Sequence, residues 1–143
     1  MTTIRQLLGD KPRAPLAVKP DDTILTALET MAKYDVGALL VMDGPRLVGI
    51  FSERDYARKV ILHGKSSQEM RVREIMTEKV IYALPQQTVA EAMAIVTEKH
   101  IRHLPVLDGD GQVIGVVSIG DLVKETISQQ QFVIKQLEHY IAG

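Results

Sequence analysis

The 143-residue chain contains no cysteine and no tryptophan, and aromatic residues make up only 4% of it. Without cysteine there are no disulfides, no thiol nucleophile and no Cys-containing zinc site, and a reducing compartment suits the composition. With two Phe and four Tyr, the core must be filled by Leu, Ile, Val, Met and Ala, and platforms on which bases could stack are scarce. No charge of one sign dominates either. Seventeen Lys and Arg face eighteen Asp and Glu, for a formal net charge of −1, and no segment concentrates basic residues, so nucleic acid is not the expected partner. No apolar run approaches the length of a membrane span, and Met1 to Arg13 (MTTIRQLLGDKPR) has no secretion-type apolar stretch. The expectation is a cytoplasmic protein with no membrane partner. The remaining balance, 45% hydrophobic against 24% charged, is that of a globular protein with a real core.

The chain repeats itself. A shift of 65 positions lays Pro20 on Pro85, Thr23 on Thr88, Ala27 on Ala92, Val41 on Val106 and Asp43 on Asp108. One inserted residue then moves the shift to 66, which lays Val48 on Ile114, Gly49 on Gly115, Ser52 on Ser118 and Asp55 on Asp121. Two copies with this period predict a pseudo-twofold pair rather than an open solenoid.

Each copy changes its hydrophobic period in the same order. A short extended stretch, Leu16 to Val18 or Val80 to Ala83, precedes a proline. A helix follows, with Ile24, Leu28 and Met31 on one face in the first copy and Val89, Ala92, Met93 and Val96 in the second. Thr23 and Thr88 are its N-caps, and Thr88 with Glu91 predicts a capping box. Two apolar runs come next, Ala38 to Met42 with Leu47 to Phe51, and Leu104 to Leu107 with Val113 to Val117. Asp43-Gly44-Pro45-Arg46 and Asp108-Gly109-Asp110-Gly111 separate them as hairpin turns. A second helix opens at Ser52 or Ser118. The predicted fold class is α+β (α/β), two β-α-β-β-α units with matching lead-ins, Ile4 to Leu8 and Val72 to Met76. The expected boundaries are an N-terminal lead-in over 1–15, a first unit over 16–62, a polar linker and lead-in over 63–79, a second unit over 80–127 and a helical extension over 128–143. In that extension Ile127, Ile134, Leu137 and Ile141 form a stripe in want of a partner surface.

The strongest chemical signal is G-x-x-S-x-x-D at a strand-to-helix junction, Gly49 to Asp55 and Gly115 to Asp121. Taken once, Ser followed three residues later by an acid is a helix-capping device and nothing more. Its repetition with a strand glycine points further. A missing side chain allows close approach to the backbone, a helix start favours an anion, and a carboxylate can accept from two neighbouring hydroxyls, as in a ribose diol. These parts together suit a nucleotide.

This ordered set resembles a tandem pair of CBS domains, the regulatory units named after cystathionine β-synthase and also called a Bateman module. The resemblance is carried by Val18-Lys19-Pro20-Asp21-Asp22-Thr23, by Tyr82 to Thr88, by Ile101-Arg102-His103-Leu104-Pro105-Val106, by both G-x-x-S-x-x-D segments and by Val72 to Thr77. It implies two units packed as one module, with two pseudo-symmetric sites in a cleft for AMP, ADP, ATP, NAD(H) or S-adenosylmethionine and no metal requirement. Asp55 and Asp121 would then hold ribose hydroxyls, with Ser52 and Ser118 near ribose or phosphate. Val18 and Tyr82, with backbone near Gly37-Ala38 and Arg102-His103, would frame the adenine. Arg54, Arg102 and His103 are the phosphate candidates, and Thr23, Ile101 and Pro105 complete the set. The first copy has Gly37-Ala38-Leu39-Leu40 where the second has Arg102-His103-Leu104-Pro105, so unequal occupancy is expected.

Other signals carry less. His63, His100, His103 and His139 have no i, i+4 acidic companion that would make a metal site. Asp108-Gly109-Asp110-Gly111 lacks the later ligands of a calcium loop. Arg58 and Lys59 read as the solvated face of a short helix. Neither a nucleophile-base arrangement nor a P-loop is present, so the reading is a non-enzymatic nucleotide sensor, expected to form a homodimer and to act on an unknown effector protein. The alternative is a dimerisation or interaction protein with vestigial clefts.

Overall fold

The computed structural model describes residues 1–9, 16–64 and 68–142. Residues 10–15 of the expected lead-in and Lys65, Ser66 and Ser67 of the expected linker lie outside them. The order of elements is α1 (Ile4–Leu8), β1 (Ala17–Val18), α2 (Ile24–Tyr34), β2 (Ala38–Asp43), β3 (Arg46–Ser52), α3 (Glu53–Tyr56), α4 (Val89–Lys99), β4 (His103–Leu107), β5 (Val113–Ser118) and α5 (Ile119–Ala142). A π-helical turn, Ala57–Ile61, continues α3, and a 3-10 turn spans Val72–Glu74.

The chain separates into two compact units. The first copy forms a three-stranded sheet in the order β1-β2-β3. β1 runs parallel to β2, with Val18 opposite Val41, and β2 runs antiparallel to β3. The predicted hairpin closes with Asp43 opposite Arg46 around Gly44, whose φ of 60° suits a two-residue turn. Ile24, Ala27 and Met31 of α2 are buried against Leu39, Val41 and Phe51 of the sheet. Leu28, expected on that face, is only partly buried at its flank.

In the other unit β4 and β5 pair, and the buried residues include Val89, Ala92 and Val96 of α4 with Leu104, Val106, Val117 and Leu122. The extended stretch predicted over Val80 to Ala83 is shorter than its counterpart. Only Ala83 bridges, in parallel, to Val106. The ladder stops there because the Leu84 N–H donates to Gln87 Oε1 at 2.8 Å and Pro85 has no N–H to give. The Thr88 cap also departs from the predicted box. Its hydroxyl accepts from the Glu91 N–H at 3.1 Å and lies 3.2 Å from Glu91 Oε1, while the Thr2 carbonyl accepts from the Val89 N–H at 2.9 Å. Glu91 thus meets the hydroxyl of the cap rather than its backbone.

The lead-ins are exchanged. The N–H groups of Ile4 and Arg5 donate to the carbonyls of Gln87 and Pro85, at 2.8 and 2.9 Å. Those of Val72 and Arg73 donate to the carbonyls of Asp22 and Pro20, at 2.8 and 2.9 Å. Each lead-in therefore caps the copy that it does not immediately precede, completing the backbone hydrogen bonding of that copy's proline turn. α2 and α4 end alike, with Asp35 and His100 left-handed at φ 53° and 54°, residue types that tolerate this conformation better than most.

Candidate functional site

Both G-x-x-S-x-x-D segments place serine at the end of a strand and aspartate in the first turn of the following helix. In the first copy the Ser52 hydroxyl accepts from the Asp55 N–H at 3.2 Å, and Asp55 Oδ2 accepts from the Ser52 N–H at 3.0 Å. In the second the Asp121 N–H donates to Ser118 Oγ at 3.1 Å and Asp121 Oδ2 accepts from the Ser118 N–H at 2.9 Å. Each segment is a reciprocal capping box. The first helical N–H is also used internally, Glu53 donating to the Gly37 carbonyl at 3.1 Å and Ile119 to that of Arg102 at 2.9 Å. The helix starts thus offer an anion fewer free donors than the sequence implied.

The motif glycines serve packing rather than an open approach. A Cβ on Gly49 would lie 2.7 Å from Met76 Sδ and 3.1 Å from the Thr77 carbonyl oxygen; one on Gly115 would lie 2.9 Å from Leu8 Cδ2. The close approach read from the sequence is made by the exchanged lead-ins. Ile50 and Thr77 exchange backbone hydrogen bonds of 3.0 and 2.9 Å beside Gly49.

The two aspartates differ sharply. Asp55 is 8% exposed. Besides the Ser52 N–H, its Oδ2 accepts from the Ser52 hydroxyl at 3.1 Å, and its Oδ1 accepts from the Thr77 hydroxyl at 3.1 Å and meets Lys59 Nζ at 3.0 Å. Asp121 is exposed. Among the described residues its Oδ1 receives no donor, and Ser118 alone occupies Oδ2.

Backbone hydrogen bonds place Arg102 and His103 beside the start of α5, with Tyr82 and Pro105 further along β4. The Arg102 carbonyl anchors the start of α5, His103 opens β4, and the Ala83 N–H, next to Tyr82, donates to the Pro105 carbonyl at 2.8 Å. Tyr82 is 49% exposed. Arg102 is exposed, His103 and Ile101 are half-buried, and Pro105 is buried. In the first copy Val18 is a core residue, so its side chain faces the protein interior. Thr23 Oγ1 caps α2 by accepting from the Thr26 N–H at 3.1 Å. Gly37 and Ala38 are half-buried beside Ser52, and Arg54 is exposed on α3. Lys59, read from the sequence as part of a solvated face, instead pairs with Asp55 and donates to the Ile75 carbonyl, and Thr77, read only as part of a lead-in, reaches the same carboxylate. Lys59 lies four residues after Asp55, a helical ion-pair spacing, but only the exchanged lead-in brings Thr77 to the same carboxylate.

The CBS domain model matches residues 10–62 and 72–128. A CBS-domain protein of known structure from Burkholderia ambifaria MC40-6 is 51% identical, superposes with a TM-score of 0.85 and covers 90% of this chain and 96% of its own. The mitochondrial CBS domain-containing protein CBSX3 of Arabidopsis thaliana is 38% identical over 99% of this chain and 73% of its own length. The structure of CBSX2 in complex with AMP is 26% identical, with a TM-score of 0.74 over 91% of this chain and 99% of that one. With both halves matched and a near-full-length relative, the chain belongs to the CBS-domain family as a tandem pair. CBSX2 carries AMP in that structure, and the CBS domain pair of MJ0100, 25% identical with a TM-score of 0.78 over 90% of this chain and 98% of that one, is in complex with 5'-methylthioadenosine and S-adenosyl-L-methionine.

Proposed function

We propose that this protein is a non-catalytic regulatory module that binds an adenosine-type ligand, AMP, ADP, ATP, NAD(H) or S-adenosylmethionine, at the β5–α5 junction of the second copy. The observation that carries this reading is Asp121, whose exposed carboxylate is oriented by the Ser118 box and whose Oδ1 receives no donor among the described residues. A carboxylate held in this way accepts from a vicinal diol with little further ordering cost. Tyr82 with the backbone around Arg102 and His103 supplies the adenine contacts, and Arg102 and His103 the phosphate contacts. The AMP complex of CBSX2 supports the ligand class. On this reading no metal is required.

Because binding shifts a conformational or association equilibrium only when the two states differ in affinity, the output lies with a second protein that distinguishes them. A second copy of the chain is the first such partner. The described helices include none long and apolar enough to cross a membrane, and we place the module in the cytoplasm, a reducing compartment that suits a cysteine-free chain. A thermal-shift panel of these ligands, with GTP as the outgroup, tests the reading. At about 100 times its dissociation constant a ligand adds about 2.7 kcal/mol, a rise on the order of 5 °C or more for a domain of this size. A flat panel at millimolar concentration rejects the sensor. It would favour the interaction-protein reading, which has its own support in the exposed Phe132, Val133, Ile134 and Leu137 of α5.

A further inference from the structure

We infer that the first-copy seat is closed by the chain's own Lys59 and Thr77, so that each chain takes one adenosine-type ligand, at Asp121; this rests on the nucleotide reading above. A carboxylate offers about four lone-pair sites. At Asp55 four donors fill them, the Ser52 N–H, the Ser52 hydroxyl, the Thr77 hydroxyl and the Lys59 ammonium, at 3.0 to 3.1 Å. Lys59 is held at a second point, donating to the Ile75 carbonyl at 2.9 Å. A ribose diol would have to displace an ammonium and a hydroxyl from a buried acceptor. Its hydroxyls would have to be ordered on binding, whereas Lys59 and Thr77 are already held in place by the chain.

At the two corresponding positions the second copy has neither closing group. The shift of 66 that lays Asp55 on Asp121 lays Lys59 on Glu125, a side chain with no proton to donate when ionised. Glu125 accepts instead, from the Thr2 hydroxyl at 2.9 Å. The lead-ins correspond through their contacts, Met76 packing on Gly49 as Leu8 packs on Gly115. The residue after Met76 is Thr77 and the residue after Leu8 is Gly9, which has no side chain and whose N–H goes to the Arg5 carbonyl at 3.2 Å. Two substitutions between the copies, Lys for Glu and Thr for Gly, therefore decide which carboxylate is open. Lys59 and Thr77 are specificity-determining residues by exclusion.

Isothermal titration of the full chain with AMP, ATP and S-adenosylmethionine in turn tests this. The expected result is one ligand per chain, lost in Asp121→Ala. The Lys59→Glu, Thr77→Gly double variant, which gives the first copy the residues of the second, is expected to raise the ratio to two. Lys59→Met serves as a milder opening should the double variant melt early. A ratio of two in the unmodified chain, or binding that survives Asp121→Ala, overturns the assignment while leaving the nucleotide reading standing. A ratio that stays at one in both opening variants removes the role of Lys59 and Thr77. No heat from any of the three ligands overturns the nucleotide reading itself and this inference with it.

Discussion

The two aspartates of the repeated motif occupy the same place in the same local structure and have opposite surroundings. Asp55 is buried beneath four donors, one of them an ammonium; Asp121 stands exposed, with no donor to one oxygen among the described residues. The capping box common to both is a local device, encoded within four residues. The difference between them is not local, because it comes from the residue one helical turn further on and from a lead-in contributed by another part of the chain. A repeated motif can thus keep one structural role in both copies while the surroundings of its carboxylate diverge.

The largest expected effect that sharpens this contrast is on affinity. Asp121→Ala should weaken adenosine-ligand binding by about a hundredfold or more, since two hydrogen bonds to a charged acceptor contribute roughly 3 kcal/mol. Titration calorimetry measures it, and near-unchanged affinity would move the site elsewhere. Next in size is association. Residues 130–140 of α5 are exposed throughout, and an unpacked helical arm bearing Val133, Ile134 and Leu137 needs a partner to be stable. Ending the chain after Ser128 should convert a dimer to a monomer by light scattering, and a dimer that persists would place the interface on other elements.

Stability should then separate the copies. Gly49→Val crowds a backbone carbonyl as well as Met76 and should cost about 2 to 3 kcal/mol, whereas the atoms nearest a Cβ at Gly115 all belong to the flexible side chain of Leu8 and Gly115→Val should cost about 1 kcal/mol. Thermal denaturation of the pair checks the order, and equal losses would show that the Thr77 backbone yields as easily as a side chain. Asp55→Ala removes a cap and the acceptor shared by Thr77 and Lys59, and about 1 to 3 kcal/mol is expected. Asp121→Ala removes an exposed cap, for about 0.5 to 1 kcal/mol. The same melting series reads both, and a larger loss for Asp121 would break the comparison. Smallest is Lys59→Met, within about 0.5 kcal/mol, because the ammonium is 44% exposed and water screens the pair.

Much of the fold was legible because it rests on periodicities and turn chemistry. The helices over Ile24–Tyr34 and Val89–Lys99, their threonine caps, and the Gly44 turn all follow from residues close in the chain. The serine and aspartate of the motif were legible for the same reason. The role of the motif glycines was not. A strand glycine signals that something comes close, but whether that is a ligand or a methionine depends on where the lead-in packs. Val18 likewise has the same identity whether it faces a ligand or the core, and the parallel pairing of Ala17–Val18 with Leu40 and Val41 puts it in the core. The shortened strand before Pro85 was foreseeable in part, since proline removes a donor, but the diversion of the Leu84 N–H to Gln87 was not.

By itself the sequence determined the duplication, the order of elements in each copy, the two capping boxes and the family to which they belong, because each is written in short-range spacing or in the register of one copy on the other. The tertiary structure alone decided that the lead-ins are exchanged and that Asp55 is buried and filled while Asp121 is exposed. Those outcomes depend on Thr77 and Lys59 reaching one carboxylate from positions 22 and four residues away, and spacing along the chain cannot say which distant hydroxyl will arrive at a buried acceptor.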